Sequence, residues 1–189
     1  PHLALLLPNL WVLAGLSTPH LSVVGLMPAG LPVFGLGRTQ TLAWGGTNMR
    51  AASSDLIDAS AENLTETRAT IRTRVWSDKH IVLRRSPDGP IISDSPLFTK
   101  RPGEVVALRW VGHQPSDEVT ALLAAARATT PDEFRAAFAT YAVGAQNMQF
   151  ADTAGNIGQV MATWLPRRPV GATPSSLVLK PDEPAAQWD

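Results

Sequence analysis

Three features of this 189-residue sequence could take part in chemistry. In residues 44–48 (WGGTN), two glycines leave backbone N–H groups unshielded by side chains, so that they could donate to a ligand; a bulge or turn is the alternative. Asn147 stands in a strand-like segment, although asparagine suits a strand poorly unless its amide is needed; the alternative is a bond to nearby backbone. The basic pair Arg167 and Arg168 could be a solvated turn or a clamp for an anion or carboxylate.

The familiar catalytic motifs are missing: the sequence has no GxSxG, Walker loop, HExxH or complete dinucleotide fingerprint. Cysteine is also missing, which excludes a disulfide framework, a cysteine nucleophile and thiolate zinc sites. The histidines fit no metal-binding spacing, and a structural or surface role is the default for each. They are His2, His20, His80 and His113.

The overall charge gives no reason to expect nucleic-acid or membrane partners, because sixteen Lys and Arg balance sixteen Asp and Glu. The apolar run at residues 3–7 has no basic segment before it and is stopped by Pro8, so we expect neither a signal peptide nor a membrane span there. The chain begins at Pro1 and ends in DEPAAQWD without a helix cap or closing strand. We therefore expect a fragment, truncated at both ends.

The elements that position these residues are predicted from spacing. Short apolar runs separated by glycine and proline predict strands and turns in the first 50 residues. Alternating patterns at residues 69–76, 80–85 and 104–110 predict an antiparallel sheet, with the tripeptide SDK as a hairpin loop between the first two. Two more strands are expected at residues 145–152 and 157–164, joined by a tight turn through TAGN.

Two helices are predicted between these groups of strands. The first spans residues 116–128, with Ser116 as N-cap and an apolar stripe. That stripe is Val119, Leu122, Leu123 and Ala126. The second begins with a capping box of Thr130 and Glu133 around Pro131. Its expected buried stripe is Phe134, Ala137, Phe138 and Tyr141. The order of strands, two helices and strands favours the α+β class.

The order of motifs resembles the penicillin acylase (penicillin amidase) family of N-terminal nucleophile (Ntn) hydrolases. Residues 1–48 are similar to the start of that family's large (β) chain, which runs D-P-H-L, P-x-x-W, P-G-x-P, G-x-N and A-W-G-x-T-N. Further matches follow in order at GPII, LRWVG, EFRAAF, QNMQFADTAGNIG and LPRR. The resemblance implies an αββα sandwich of antiparallel sheets, here incomplete. It also implies that residues 1–189 are one partial domain, the N-terminal part of the large chain without its first residues.

The resemblance implies a mechanism in which one residue serves as both nucleophile and base. A serine, threonine or cysteine freed by autoproteolysis attacks an amide carbonyl, while its own α-amine takes the proton. The motif order places this nucleophile upstream of Pro1. Two oxyanion donors are implied within the chain: the backbone N–H of Asn48 and the side-chain amide of Asn147.

The remaining site residues are likewise implied by the family's pattern. His2 matches a histidine that could orient the attacking hydroxyl. Arg168, rather than Arg167, matches an arginine near the active-site centre. The acyl pocket is matched by two aliphatic side chains and a glycine, which fit an aliphatic acyl group better than phenylacetyl. They are Leu3, Leu36 and Gly46.

No organic cofactor is expected. The family's structural calcium is held by an acidic cluster, of which this sequence keeps Asp55 but has Ala52, Ser53 and Ser54 in place of the rest. Because calcium takes six or more oxygen ligands, Asp55 alone does not predict a complete site.

The function implied is an amidohydrolase cleaving linear amides of the penicillin, cephalosporin or N-acyl-homoserine-lactone type. The partners implied are a small amide substrate and the small (α) chain of the same precursor, in the periplasm or outside the cell. A non-catalytic binding module on the same scaffold is the alternative, and the fragment alone is expected to be inactive.

Overall fold

The computed structural model describes residues 9–99 and 101–188. These residues divide into two compact units. The first unit contains the described residues through Ala51 together with residues 114–164, and the second contains residues 52–113 and the described residues from Leu165 onward. The predicted single partial domain stays a prediction.

The first unit is built on a six-stranded sheet in the order β1-β2-β3-β4-β10-β11, with antiparallel neighbours throughout. Its strands are β1 (Trp11–Thr18), β2 (Leu21–Pro28), β3 (Leu36–Arg38), β4 (Leu42–Asn48), β10 (Gln146–Asp152) and β11 (Ile157–Ala162). The predicted short strands in the first 50 residues are thus confirmed. So is the hairpin of β10 and β11, which are joined through TAGN.

The second helix of this unit has the predicted N-terminus. Helix α2 (Pro131–Ala137) has Thr130 as N-cap, whose side chain accepts from the Glu133 backbone N–H at 3.2 Å. One bond differs from the predicted capping box. The Glu133 carboxylate accepts from the backbone N–H of Thr129 at 2.8 Å, and not from that of the N-cap Thr130. The helix gives way to a 3₁₀ turn at Phe138–Thr140.

The first helix begins later than predicted. Helix α1 is Glu118–Arg127, and its N-cap is Asp117, whose carboxylate accepts from the Thr120 backbone N–H at 2.9 Å. The prediction of Ser116 as N-cap was wrong, because that hydroxyl lies one residue too early and donates to the Glu118 carboxylate instead. The buried face also differs from the predicted stripe. Val119 is exposed, and the buried residues are Ala121, Ala125 and Ala126.

Aromatic rings from the sheet and from α2 meet in the core of this unit. Phe134 is fully buried, with its ring centroid 5.1 Å from that of Phe150, 5.3 Å from Phe138 and 6.1 Å from Trp44. The Trp44 indole nitrogen donates to the Phe34 carbonyl at 3.1 Å, so its polar atom is satisfied. Burial of Phe134, Phe138 and the largely buried Tyr141 confirms most of the predicted stripe of α2.

The second unit contains two three-stranded sheets. In one, β5 (Ser54–Asp58) pairs antiparallel with β9 (Val106–Trp110) and parallel with β12 (Val178–Leu179). In the other, β6 (Thr65–Ile71), β7 (Lys79–Ser86) and β8 (Gly89–Pro90) are antiparallel. The predicted antiparallel pairing of residues 69–76 with residues 80–85 is confirmed by β6 and β7. The expectation that residues 104–110 join the same sheet was wrong, because β9 pairs with β5 in the other sheet. Nothing in the sequence pattern indicated the parallel strand β12.

The boundaries of β6 differ from the prediction, since this strand ends at Ile71 rather than at Trp76. The loop to β7 is therefore longer than the predicted SDK. Thr73 explains the early end, because its backbone N–H donates to the Asp78 carboxylate and its hydroxyl donates to the carbonyls of Trp76 and Ser77. These bonds fold the segment into a loop before it can extend the ladder.

None of the helices among the described residues is long and apolar enough to cross a membrane.

Replacing Phe134 with alanine tests this core. Because the ring is fully buried among three others, we expect Phe134→Ala to lower the free energy of unfolding by about 3–5 kcal/mol in urea denaturation. Ile157→Ala is the control: this side chain of the same unit is 82% exposed, and we expect a change within about 0.5 kcal/mol. Equal losses in the two variants would contradict the central place of Phe134.

Candidate functional site

The two asparagines predicted to take part in catalysis lie on neighbouring strands of the first unit. Strand β10 pairs with β4 on one side and with β11 on the other, and Asn147 stands opposite Thr47 on β4 and Met161 on β11. Asn48 stands opposite Gln146, whose side-chain amide donates to the side-chain oxygen Oδ1 of Asn48 at 3.0 Å. The predicted strand around Asn147 is confirmed, and the structure brings Asn48 and Asn147 together.

The side chain of Asn147 has an unused acceptor. Its Oδ1 atom is buried and accepts no hydrogen bond from any described residue. Because side chains alternate along a strand, Asn147 points away from the face on which Met148 and Phe150 join the core. A buried polar atom without a partner is costly by about 1–3 kcal/mol. Such an atom in a regular strand indicates a partner from outside the described residues.

The backbone N–H and C=O groups of Asn48 point away from β10, toward the other neighbour of β4. Met49 donates to the Ala145 carbonyl and Thr153 donates to that of Thr41, so the odd-numbered residues of β4 are those bonded to β10. In an antiparallel ladder, alternate residues of a strand point their N–H and C=O groups to opposite neighbours, so the even-numbered residues of β4 point theirs away from β10. The N–H groups of Gly46 and Asn48 therefore point toward the β3 side.

Strand β3 does not close that side. It pairs with β4 only at Ala43 and Trp44, and the preceding Gly35 donates its N–H to the Leu26 carbonyl of β2 instead. Residues 44–48 are thus a regular strand end, and beyond Trp44 no strand among the described residues covers this edge, here called the open edge. The alternative of a bulge or turn was wrong. This is the geometry in which backbone donors are accessible to a ligand.

The open edge lines a cavity of about 420 Å³ whose wall is mainly apolar. Two predicted pocket residues, Leu36 and Gly46, are in its wall together with Trp11 and Met148. A Cβ atom on Gly46 would lie 2.4 Å from the Met148 sulfur, so glycine lets this side chain lie across β4. The other predicted pocket residue, Leu3, and the predicted catalytic His2 lie outside the described residues.

A turn fixes the far end of β10. The Asp152 carboxylate accepts from the backbone of Ala154 at 3.0 Å and of Asn156 at 2.8 Å, and from the Asn156 side chain at 2.7 Å. Gly155 has a φ of 89°, a left-handed value that glycine tolerates. The Asn156 side chain and these backbone N–H groups hold the pKa of Asp152 below its ordinary value. The tight turn predicted from DTAGN is confirmed.

Sequence reasoning missed the residue that fixes the near end of β10. The Glu118 carboxylate accepts from the backbone N–H groups of Ala142 at 3.0 Å and Val143 at 3.1 Å. Burial alone would raise the pKa of Glu118, but these bonds and one from the Ser116 hydroxyl outweigh it and lower that pKa. The sequence shows only an acidic residue in the first turn of a helix. A favourable interaction with the helix dipole already explains such a residue, so nothing in the sequence pointed to its contact with residues 142 and 143.

Arg168 lies in the second unit, where it forms a two-pronged ion pair with Asp55. Its two terminal nitrogens lie 2.7 Å and 2.9 Å from the two carboxylate oxygens. The side chains are 19% and 11% exposed, so this is not a solvated turn, whereas Arg167 is exposed. Arg168 does bind a carboxylate, as the clamp hypothesis predicts, but this carboxylate is the Asp55 side chain of the same chain and not a ligand.

The described residues do not fit a calcium site at Asp55. Both of its oxygens accept from Arg168, and Oδ2 also accepts from the Trp188 indole nitrogen at 2.7 Å. No group of three or more His, Cys, Asp or Glu side chains within residues 9–99 and 101–188 could hold a metal ion. A calcium ion at this carboxylate would have to displace a guanidinium.

Comparison with solved structures defines the class of fold. The chain is similar to a thermostable penicillin G acylase from Alcaligenes faecalis in an orthorhombic form, with a TM-score of 0.76 at 23% sequence identity. The match covers 97% of this chain and 34% of that chain, so this chain spans about a third of the acylase chain. The α+β class is confirmed, as a partial Ntn-hydrolase fold.

Comparison with protein families is more specific. The sequence model of the penicillin amidase family matches residues 1–189. The chain therefore belongs to the penicillin amidase family, as its ordered motifs predict. No curated protein matches it.

Glu118→Gln tests the support of β10. Because the folded-state pKa of Glu118 is lowered, its carboxylate stabilises the fold above the unfolded value of about 4.3, and this stabilisation is lost as pH falls through the folded pKa. We expect the wild type to be more stable than the variant at neutral pH and this difference to shrink in acid. Urea denaturation across a pH series measures it.

Asp182→Asn is the control: this carboxylate is exposed, and we expect its removal to change the free energy of unfolding at neutral pH by less than about 0.5 kcal/mol. A wild-type advantage over Glu118→Gln that grew in acid would contradict the assignment.

Proposed function

We propose that this chain is a segment of an amidohydrolase that cleaves linear amides by acyl transfer to an N-terminal nucleophile encoded upstream of Pro1. Membership of the penicillin amidase family supports the reaction class. The observation that carries the proposal is the buried amide oxygen of Asn147, which no described residue partners, on the strand that pairs with β4. A side chain in this state suits a site completed by a group from outside the described residues.

In the proposed reaction, the hydroxyl of the nucleophile attacks the substrate carbonyl while its own α-amine takes the hydroxyl proton. The carbonyl oxygen becomes an oxyanion, which accepts from the Asn48 backbone N–H and from the Asn147 side-chain N–H. Collapse breaks the C–N bond, and the protonated α-amine returns its proton to the leaving amine. Water then hydrolyses the ester and releases the carboxylic acid. The α-amine is also a donor that could satisfy the Asn147 oxygen.

His2 is proposed to orient the attacking hydroxyl, and Arg168 to hold the surroundings of the nucleophile. The apolar cavity with Leu36 and Gly46 in its wall is proposed as the acyl pocket, with Leu3 as a further part. A β-lactam nucleus or a homoserine lactone is the proposed leaving amine.

The small chain of the same precursor, released by autoproteolysis, is the proposed partner, in the periplasm or outside the cell. The alternative is a non-catalytic binding module. It predicts that the parent protein binds amides without turnover and lacks a serine, threonine or cysteine at the processed N-terminus.

Asn147→Ala in the full-length parent protein tests the oxyanion role. We expect a loss of about 10²- to 10³-fold in kcat, or roughly 2.7–4 kcal/mol, because one preorganised donor is removed. Gln149→Ala is the matched control: it removes another amide from the same face of β10, two residues away, and should leave kcat unchanged. Equal effects of the two variants would refute the oxyanion role.

A series of amide substrates of increasing acyl length tests the pocket. With Leu36 and Gly46 in its wall, we expect higher kcat/KM for linear aliphatic acyl groups than for phenylacetyl. Gly46→Ala pushes the Met148 side chain aside and should lower kcat/KM most for the longest acyl group. A uniform change across the series would show that this cavity does not hold the acyl chain.

A further inference from the structure

The carboxylate of Asp55 stands at the centre of a cluster of charged and aromatic side chains in the second unit. Besides its two bonds from Arg168, it accepts from the Trp188 indole N–H. The Trp188 ring lies 5.7 Å from the guanidinium carbon of Arg168 and 5.7 Å from that of Arg109. One indole thus interacts with both cations and with the carboxylate that neutralises one of them.

The second arginine has its own acidic partner. Arg109 pairs with Asp88, and its guanidinium also donates to the Ala186 carbonyl. Burial lowers the pKa of Arg109, and Arg168 lowers it further, while Asp55 opposes this change. Two guanidinium groups and two carboxylates therefore balance one another within the cluster.

The same arginines hold the segment that carries Trp188. Arg168 donates to the Ala185 carbonyl as Arg109 does to that of Ala186, and both alanines are buried. This segment follows β12, the strand that pairs with β5 next to Asp55. Asp55 is therefore connected to Arg168 in two ways. It accepts from the guanidinium directly, and it accepts from Trp188, which lies on the segment that Arg168 holds at Ala185.

We infer that Asp55 and Trp188 are positioning residues for the Arg168 guanidinium, and that Asp55 does so in place of binding calcium. The inference that this placement affects catalysis rests on the proposed function. A free arginine side chain samples many rotamers, whereas a two-pronged carboxylate contact restricts it to one orientation.

Electrostatics argues against calcium in this cluster. A divalent ion on the Asp55 oxygens would lie next to the guanidinium that already bonds both of them, and like charges at such short range repel. The ion would also lack ligands, because Ala52, Ser53 and Ser54 provide no carboxylate. Arg168 supplies the positive charge that a metal would otherwise bring to Asp55.

The test uses the full-length parent protein with its partner chain. Thermal unfolding is measured after EDTA treatment and again with millimolar calcium chloride. We expect the same midpoint for the wild type in both. A calcium-dependent rise of the wild-type midpoint that is absent in Asp55→Asn would overturn the inference, because it would show that Asp55 binds the metal.

Kinetics separates positioning from simple stabilisation. We expect Asp55→Asn to lower kcat by roughly 10- to 100-fold, with a smaller change in KM, because the guanidinium loses its fixed orientation. Asp55→Glu keeps the carboxylate and should restore part of this loss, and Trp188→Phe should lower kcat less than Asp55→Asn. Equal kcat in Asp55→Asn and the wild type would overturn the inference.

Asp94→Asn is the matched control. It breaks another two-pronged pair of the second unit, in which Arg84 lies 2.8 Å and 2.5 Å from the two Asp94 oxygens. We expect this variant to lose stability as Asp55→Asn does, but to keep wild-type kcat. A kcat loss equal to that of Asp55→Asn would reduce Asp55 to a structural role and overturn the inference.

Near-ultraviolet circular dichroism keeps the test independent of activity. Trp188→Phe identifies the contribution of the ordered indole, and we expect Asp55→Asn and Arg168→Met to lose the same band. Retention of the band in both variants would overturn the inference. If the wild-type parent turns over no amide, the proposed function fails, and the calcium and circular dichroism measurements still decide whether Asp55 and Trp188 hold Arg168.

Discussion

The register between β4 and β10 is the constraint on which the candidate site depends. Asn48 and Asn147 are far apart in sequence, and only this ladder makes them neighbours. A slip by one residue would turn Asn147 toward Phe134 and the other buried rings, and would turn Met148 out of the core. The aromatic packing around Phe134 therefore fixes more than stability. This packing selects the register in which the Asn147 side chain lies on the face away from the core and the Asn48 backbone N–H points to the open edge.

The open edge has its own origin in the sequence. The segment before β3 contains Pro32, which cannot donate to a ladder, the buried Val33, which lines the apolar cavity, and the buried Phe34, which joins the core. Gly25 allows β2 to approach β3 closely, since a Cβ atom there would lie 2.1 Å from the Leu36 carbonyl oxygen. Strand β3 is thus held against β2 and leaves β4 after Trp44. The apolar cavity and the backbone N–H groups at the open edge both lie where β3 ends its pairing with β4.

Local patterns were sufficient where the determining interactions were local. The capping of α2 by Thr130 and the turn at Asp152 each depend on contacts within four residues, and both were predicted. The cap of α1 was misplaced by one residue because Ser116 and Asp117 are both good caps. The contact that holds the backbone of Asp117 comes from Thr140, 23 residues away, and no local pattern shows it. Strand β12 could not be predicted, since two residues carry no periodicity.

The contacts around Asp55 and Glu118 span too many residues for any spacing argument. Arg168 and Trp188 reach Asp55 across 113 and 133 residues, and Glu118 reaches Ala142 across 24. The resemblance to a family named Asn48, Asn147 and Arg168 but not what holds them. For the backbone entering β10 and for Arg168, the supporting group is a carboxylate that accepts from two or more donors and fixes their orientation. Asn48 instead accepts a hydrogen bond from the Gln146 side chain. Glu118 fixes the backbone entering β10, and Asp55 fixes a guanidinium. An oxyanion or a developing charge is best stabilised by groups that need no rearrangement at the moment of reaction. If Asn147 and Arg168 act as proposed, these two carboxylates would affect the rate by keeping the groups that they hold rigid, without contacting a substrate.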